Sequence, residues 1–158
     1  MDWGGWALFG LLATAVLTAV MISAQMVGWT RLDLPLLLGT IATEDPDGAR
    51  VVGFFIHLAI GEGFALGYAA GFALLGSASW WLGALFALAH VSVALTILVP
   101  LLPGVHPRMA SYRAGPATVA VLEPPGLLGL NYGAQTPAVA IVAHLVFGIA
   151  LGLLLTAH

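Results

Sequence analysis

Four apolar runs of about twenty residues or more leave this chain few folds to choose from. They cover approximately residues 5–29, 51–76, 80–102 and 136–157, and about twenty apolar residues is what a helix needs to cross a bilayer core of roughly 30 Å. Backbone groups in hydrocarbon have to be bonded within their own segment, and these runs far exceed the strands of a barrel, so each reads as a helix. The expected fold class is therefore all-α, a polytopic membrane protein built as a four-transmembrane-helix bundle, one integral membrane domain over residues 1–158. Only Ser77, Ala78 and Ser79 separate the second run from the third, which makes that pair a tight antiparallel hairpin.

Of the 158 residues, 61% are hydrophobic and 7% charged, and the mean hydropathy is +1.05; an ordinary soluble domain carries about 25% charged residues. Seven acids against four basic residues, all arginine, give a formal charge of −3, so no basic face exists for nucleic acid or another polyanion. Without lysine there is no Schiff-base chemistry, which excludes a retinal protein of the rhodopsin type and a lysine-dependent aldolase. Without cysteine there are no disulfides, thiolate metal sites, iron–sulfur clusters or thiol catalysis.

The opening MDWGGWALFG lacks a basic n-region and a small-residue cleavage site, so it is expected to be retained as the start of the first helix. That helix carries Ala13, Thr14, Ala15, Thr18, Ala19 and Ser23, followed by Gln25, a stripe read as helix packing with hydroxyls bonded back to their own backbone. The connection over 30–50 starts apolar but is broken by Pro35 and Gly39; too short to cross, it is expected to lie at the interface or re-enter the bundle mouth, with Arg31 and Asp33 at headgroup level. Its acids Glu44, Asp45 and Asp47 lack the ligand spacing of an EF-hand and read as a solvated turn.

Pro100 and Pro103 are expected to end the third helix. The longest connection, 104–135, is rich in Gly and Pro, holds His106, Arg108, Tyr112, Arg113, Glu123, Asn131 and Tyr132, and is expected to fold over one mouth of the bundle. Trp3, Trp6, Trp80 and Trp81 mark one membrane interface and Trp29 the other. All four arginines fall in the first and third connections, so the positive-inside rule puts those in the cytoplasm and both termini outside.

Ionisable residues inside the runs are the candidates for function. Glu62 lies eleven residues into the second run, some 16 Å deep at roughly 1.5 Å per residue, where a carboxyl must be neutralised, hydrogen-bonded or paired. His57 is five residues away, about 140° around the axis, so the two do not chelate one ion from a single face. His57, His90 and His144 stand one per run, roughly 9, 18 and 12 Å from the arginine-bearing side, so His57 and His144 are placed to share one level and His90 and Glu62 a deeper one. Besides a proton or small-solute path using Glu62 and His90, for which four short helices leave little room unless the chain oligomerises, three readings stay open. In one, His57, Glu62 and His144, with His90, ligate a transition metal. In another, His57, His90 or His144 is an axial ligand of a haem or chlorophyll-type pigment, with Gly53 and Ala140, four residues before His57 and His144, small enough to admit a macrocycle. In the third, each His bonds a carbonyl, hydroxyl or Glu62 across the bundle and fixes helix register, at about 0.6 kcal/mol per bond.

Two small-residue ladders complete the pattern: Gly63, Gly67 and Gly71 in the second run and Gly148 and Gly152 in the fourth, both of which predict close helix crossings.

GLLATAVLTAVM in the first run, LDLPLLLGT after it, FFIHLAIGEGFALGYA in the second and AHLVFGIALGLL in the fourth resemble an uncharacterised bacterial family of small four-span integral membrane proteins, a domain of unknown function. The matching positions are Ala13 to Met21, Leu32 to Gly39, His57 with Gly61, and His144 with Gly148 and Gly152; Glu62 and the long third connection lie outside the pattern. The resemblance implies the four-span architecture and a bacterial inner membrane, and it brings no activity with it.

No nucleophile–base set is apparent and the extramembrane mass is small, so no catalytic residue is assigned. The expected function is that of an accessory or structural subunit, associated through its glycine faces with other integral membrane subunits or with copies of itself in the lipid bilayer. The alternative is a cofactor-binding redox or photosynthetic membrane protein that uses its histidines. A membrane hydrolase, with Glu62 and a histidine activating water at a metal, ranks third.

Overall fold

The computed structural model describes residues 5–110 and 122–156, and the chain there is helical apart from its connections. Four helices are long and apolar enough to cross a membrane: α1 (Gly5–Met26), α3 (Pro46–Leu75), a rod over Trp80–Val105 and α6 (Thr136–Leu154). The rod consists of α4 (Trp80–Val93), a π-helical turn (Ala94–Leu98) and α5 (Val99–Val105). A short helix, α2 (Leu34–Gly39), lies against α3. The outward faces are themselves apolar, with Leu8, Phe55, Leu85, Val142 and Leu153 exposed. A surface of that kind matches hydrocarbon as the surrounding medium, so the protein is an all-α membrane protein.

Small residues set how closely the helices approach. At the α4–α6 crossing a Cβ added to Gly83 would strike the Gly148 carbonyl, one on Gly148 the Gly83 carbonyl, and one on Gly152 the Ser79 carbonyl. On the α1–α3 seam Gly61 faces the side chain of Thr14, and Gly10 faces Glu62 and Ala65. Leu17, Met21, Tyr68, Phe72, Phe147 and Leu151 fill the core between these contacts.

The glycine ladders divide. Gly148 and Gly152 make the close crossing expected of them, inside the chain. Gly63 and Gly67 face open space, and of that ladder only Gly71 meets a neighbour, the ring of Phe86. Their row is turned away from the bundle.

Two helix ends differ from the expected ones. α3 begins at Pro46, ahead of its apolar run, because the Asp45 side chain accepts the Gly48 N–H at 2.7 Å and proline suits the first helical turn. The third long helix continues past Pro100 and Pro103 to Val105. Proline there has no N–H to give the carbonyl four residues back; the π turn lets Val99 N–H reach Ala94 O, five residues back, and the wider turn takes up the misfit.

The described arginines all work at one end of the bundle. Asp33 caps α2 through Oδ1 on Leu36 N–H at 3.0 Å and takes Arg50 on Oδ2 at 2.8 Å. Arg50 also reaches Asp47 at 3.2 Å, Arg108 pairs with Glu44 at 3.4 Å, and Arg31 pairs with Glu123 at 3.2 Å. The acidic turn is thus an ion-paired clasp. Arg108 further donates to Thr40 O at 2.6 Å, and Arg31 to the Asn131 carbonyl, so both connections close over this end together. Tyr112 and Arg113 lie outside the described residues.

Candidate functional site

The three histidines of the long helices line one apolar cavity of about 250 Å³. α3 contributes His57 and Phe64, α4 His90, and α6 His144; α2 supplies Leu34, Leu37 and Leu38, and the π turn supplies Ala94, Leu95 and Leu98. Helix geometry explains the convergence on α3, since His57, Phe64 and Tyr68 follow an i, i+7, i+11 spacing and share one face within about 20°. The short helix α2 packs tightly enough to line the cavity because Gly39 seats on the Ala49 carbonyl and Gly53 on the Pro35 carbonyl.

Hydrogen bonds fix two of the imidazoles. Thr18 Oγ1 lies 2.7 Å from Thr14 O and 2.8 Å from His57 Nδ1; its one proton serves one of them, and with that proton on Thr14 O it accepts from His57, which is then the Nδ1–H tautomer. His144 Nδ1 lies 2.8 Å from Ala140 O, an acceptor only, so this ring too is the Nδ1–H tautomer. His144 therefore keeps its Nε2 lone pair, and so does His57 as the Nδ1–H tautomer. A metal-binding histidine is prepared in this way, one ring nitrogen tied back to the protein and the other left for the ligand.

His90 is held by rings. Phe64 stacks on it at 3.6 Å between centroids and 22° between planes, the His144 ring meets it edge-on at 4.7 Å, and Tyr68 Oη lies 3.5 Å from its Nδ1. His90 and His144 thus touch, contrary to the expected pairing of levels by depth.

Glu62 is not part of the cavity. It faces α1 at Gly10, and both carboxyl oxygens are buried with no hydrogen-bond partner among the described residues. The rotation that separates it from His57 also removes it from a shared metal set, and the expected bond between Glu62 and a histidine does not form. Among the described residues no three His, Asp or Glu side chains are gathered into a ready metal cage. The expected room for a macrocycle beside His57 is absent as well: the Pro35 carbonyl fills the place at Gly53, and the cavity is smaller than the roughly 300–1,000 Å³ of ligand pockets.

No family model matches the chain, and no curated protein and no solved structure matches it either.

Above the cavity, His106 is buried and bridges two elements. Its Nδ1 accepts the Arg108 N–H at 3.1 Å, so Nε2–H is the donor to Leu37 O at 2.9 Å. That bond ties the third connection to α2. Within the third connection Tyr132 donates to Glu123 O at 2.5 Å; burial, then the neighbouring Glu123 carboxylate, push its phenol up to about 12 against the opposing effect of Arg31, so it stays a donor at neutral pH. The sequence reading missed Phe64, Tyr68 and Thr18 as members of the site. The i, i+7, i+11 spacing from His57 carried the signal for the first two.

Proposed function

We propose that this chain is a membrane protein that binds a transition-metal ion in its histidine-lined cavity, with His57 and His144 as ligands through Nε2 and His90 completing the set. The observation that carries the reading is the placement of two imidazoles from different helices beside the same cavity, each with Nδ1 at 2.8 Å from a protein oxygen, which leaves Nε2 for a ligand when Nδ1 carries the proton. Neutral imidazole suits zinc, copper, iron and nickel. In this reading the location is a bacterial inner membrane, multi-pass, with the clasped arginine-bearing end in the cytoplasm and both termini outside.

The test is a titration of the purified protein in mild detergent with Zn²⁺ and, separately, Cu²⁺, reading metal bound per chain. The wild type is expected to bind one ion, and His57→Ala or His144→Ala to weaken binding at least tenfold. Equal binding by the wild type and the His57→Ala/His144→Ala double variant would overturn the assignment.

A second reading has its own support. The outward row of Gly63 and Gly67 offers a flat face to another helix, and in that reading the protein is a subunit of a larger membrane complex or a homo-oligomer.

A further inference from the structure

Glu62 sits in the middle of an apolar helix with nothing to hold its charge. Both carboxyl oxygens are shielded, and neither has a hydrogen-bond partner among the described residues. No described side chain of the opposing helix is bonded to it. Between Gly5 and Met26 α1 has no titratable side chain, and its nearest hydroxyl, Thr14 Oγ1, is already committed to Gly10 O at 2.8 Å. On α3 itself the titratable neighbours are His57, bonded to Thr18, and Tyr68, which turns to His90 on α4. On α6, His144 is bonded to Ala140. The nearest cation on α3, Arg50, is engaged by Asp33 and Asp47 and stands twelve residues away, about 18 Å along the helix.

A lone carboxylate in such a place loses its hydration and gains nothing in return, and the group avoids that loss by keeping its proton. We propose that Glu62 is a proton-binding site of this protein, held as the neutral acid on the α1–α3 seam and releasing its proton when water or a polar group from another molecule reaches the seam. The acid makes no hydrogen bond among the described residues that must break first, Gly10 stands against its Oε1, and the next residue, Gly63, faces open space. The proposal is independent of metal binding, since Glu62 lies outside the histidine cavity.

Infrared spectroscopy of the wild type and Glu62→Gln in lipid bilayers tests it at about pH 7, where an ordinary glutamate of pKa about 4.3 is ionised. The isosteric Gln leaves no charge and keeps the shape. A carboxylic-acid C=O band in the wild type that is missing from Glu62→Gln, and that moves when the sample is transferred to D₂O, is the expected result. Absence of the band in the wild type overturns the proposal, because Glu62 is then ionised. A band equal in both proteins also overturns it, since the acid then belongs to another residue. A band specific to Glu62 that never responds to D₂O overturns the exchange, leaving a sealed structural acid.

Discussion

At the scale of single residues, the account turns on what a hydroxyl proton can do. Thr18 has one, within reach of both Thr14 O and His57 Nδ1, and when it goes to Thr14 O His57 becomes the donor and its Nε2 is free. Thr18→Val keeps the shape and removes the acceptor, so it is expected to weaken metal binding by about tenfold or more, the usual effect of losing the group behind a ligand, while the fold persists. Isothermal titration with Zn²⁺ checks this, and an unchanged affinity would separate Thr18 from the site. The histidines themselves were legible in the sequence, because an imidazole within an apolar run stands out on composition alone. Glu62 was equally visible, but its destination was not. Which neighbour a side chain meets depends on the register between two helices, and here that register rests on Gly10 and Gly61 facing Glu62 and Thr14, a pairing across 50 residues that no local pattern encodes.

At the scale of elements, the glycines sort into two jobs. Gly148 lies against the Gly83 carbonyl, so Gly148→Leu forces α4 and α6 apart and is expected to destabilise the fold by at least the roughly 1–3 kcal/mol of an overpacked core. A side chain begun at Gly67 meets none of the described residues, so Gly67→Leu is expected to leave thermal stability unchanged. Thermal unfolding in detergent distinguishes the two; equal losses would mean that the outward face of α3 is not free. The sequence predicted both ladders but had no means of telling an internal crossing from an outward one, since both read as small residues four apart. Helix ends show the same division. The long helices were legible from length and hydropathy, whereas the extra turns of α3 came from the Asp45 cap, and the passage through Pro100 came from a π turn whose register is set by neighbours as much as by the sequence of the turn itself.

At the scale of the whole molecule, one end is polar and clasped and the remainder is apolar on both its inner and outer faces. Arg108 with Glu44 and Arg31 with Glu123 bind the two long connections to each other, and Arg50 with Asp33 ties the start of α3 to the cap of α2. His106 pins α2 above the histidine cavity. Ion pairs this exposed contribute little to stability, about 0–1 kcal/mol each, so their consequence is positional: they hold α2 where its leucines wall the cavity. The central claim, that the histidines of three helices converge to bind a metal, is tested most directly by zinc-edge X-ray absorption of the Zn²⁺-loaded wild type beside the His57→Ala/His144→Ala double variant. The account predicts imidazole nitrogens at about 2.0–2.1 Å from zinc in the wild type, lost from the variant. An oxygen-only shell, the same in both proteins, would contradict it.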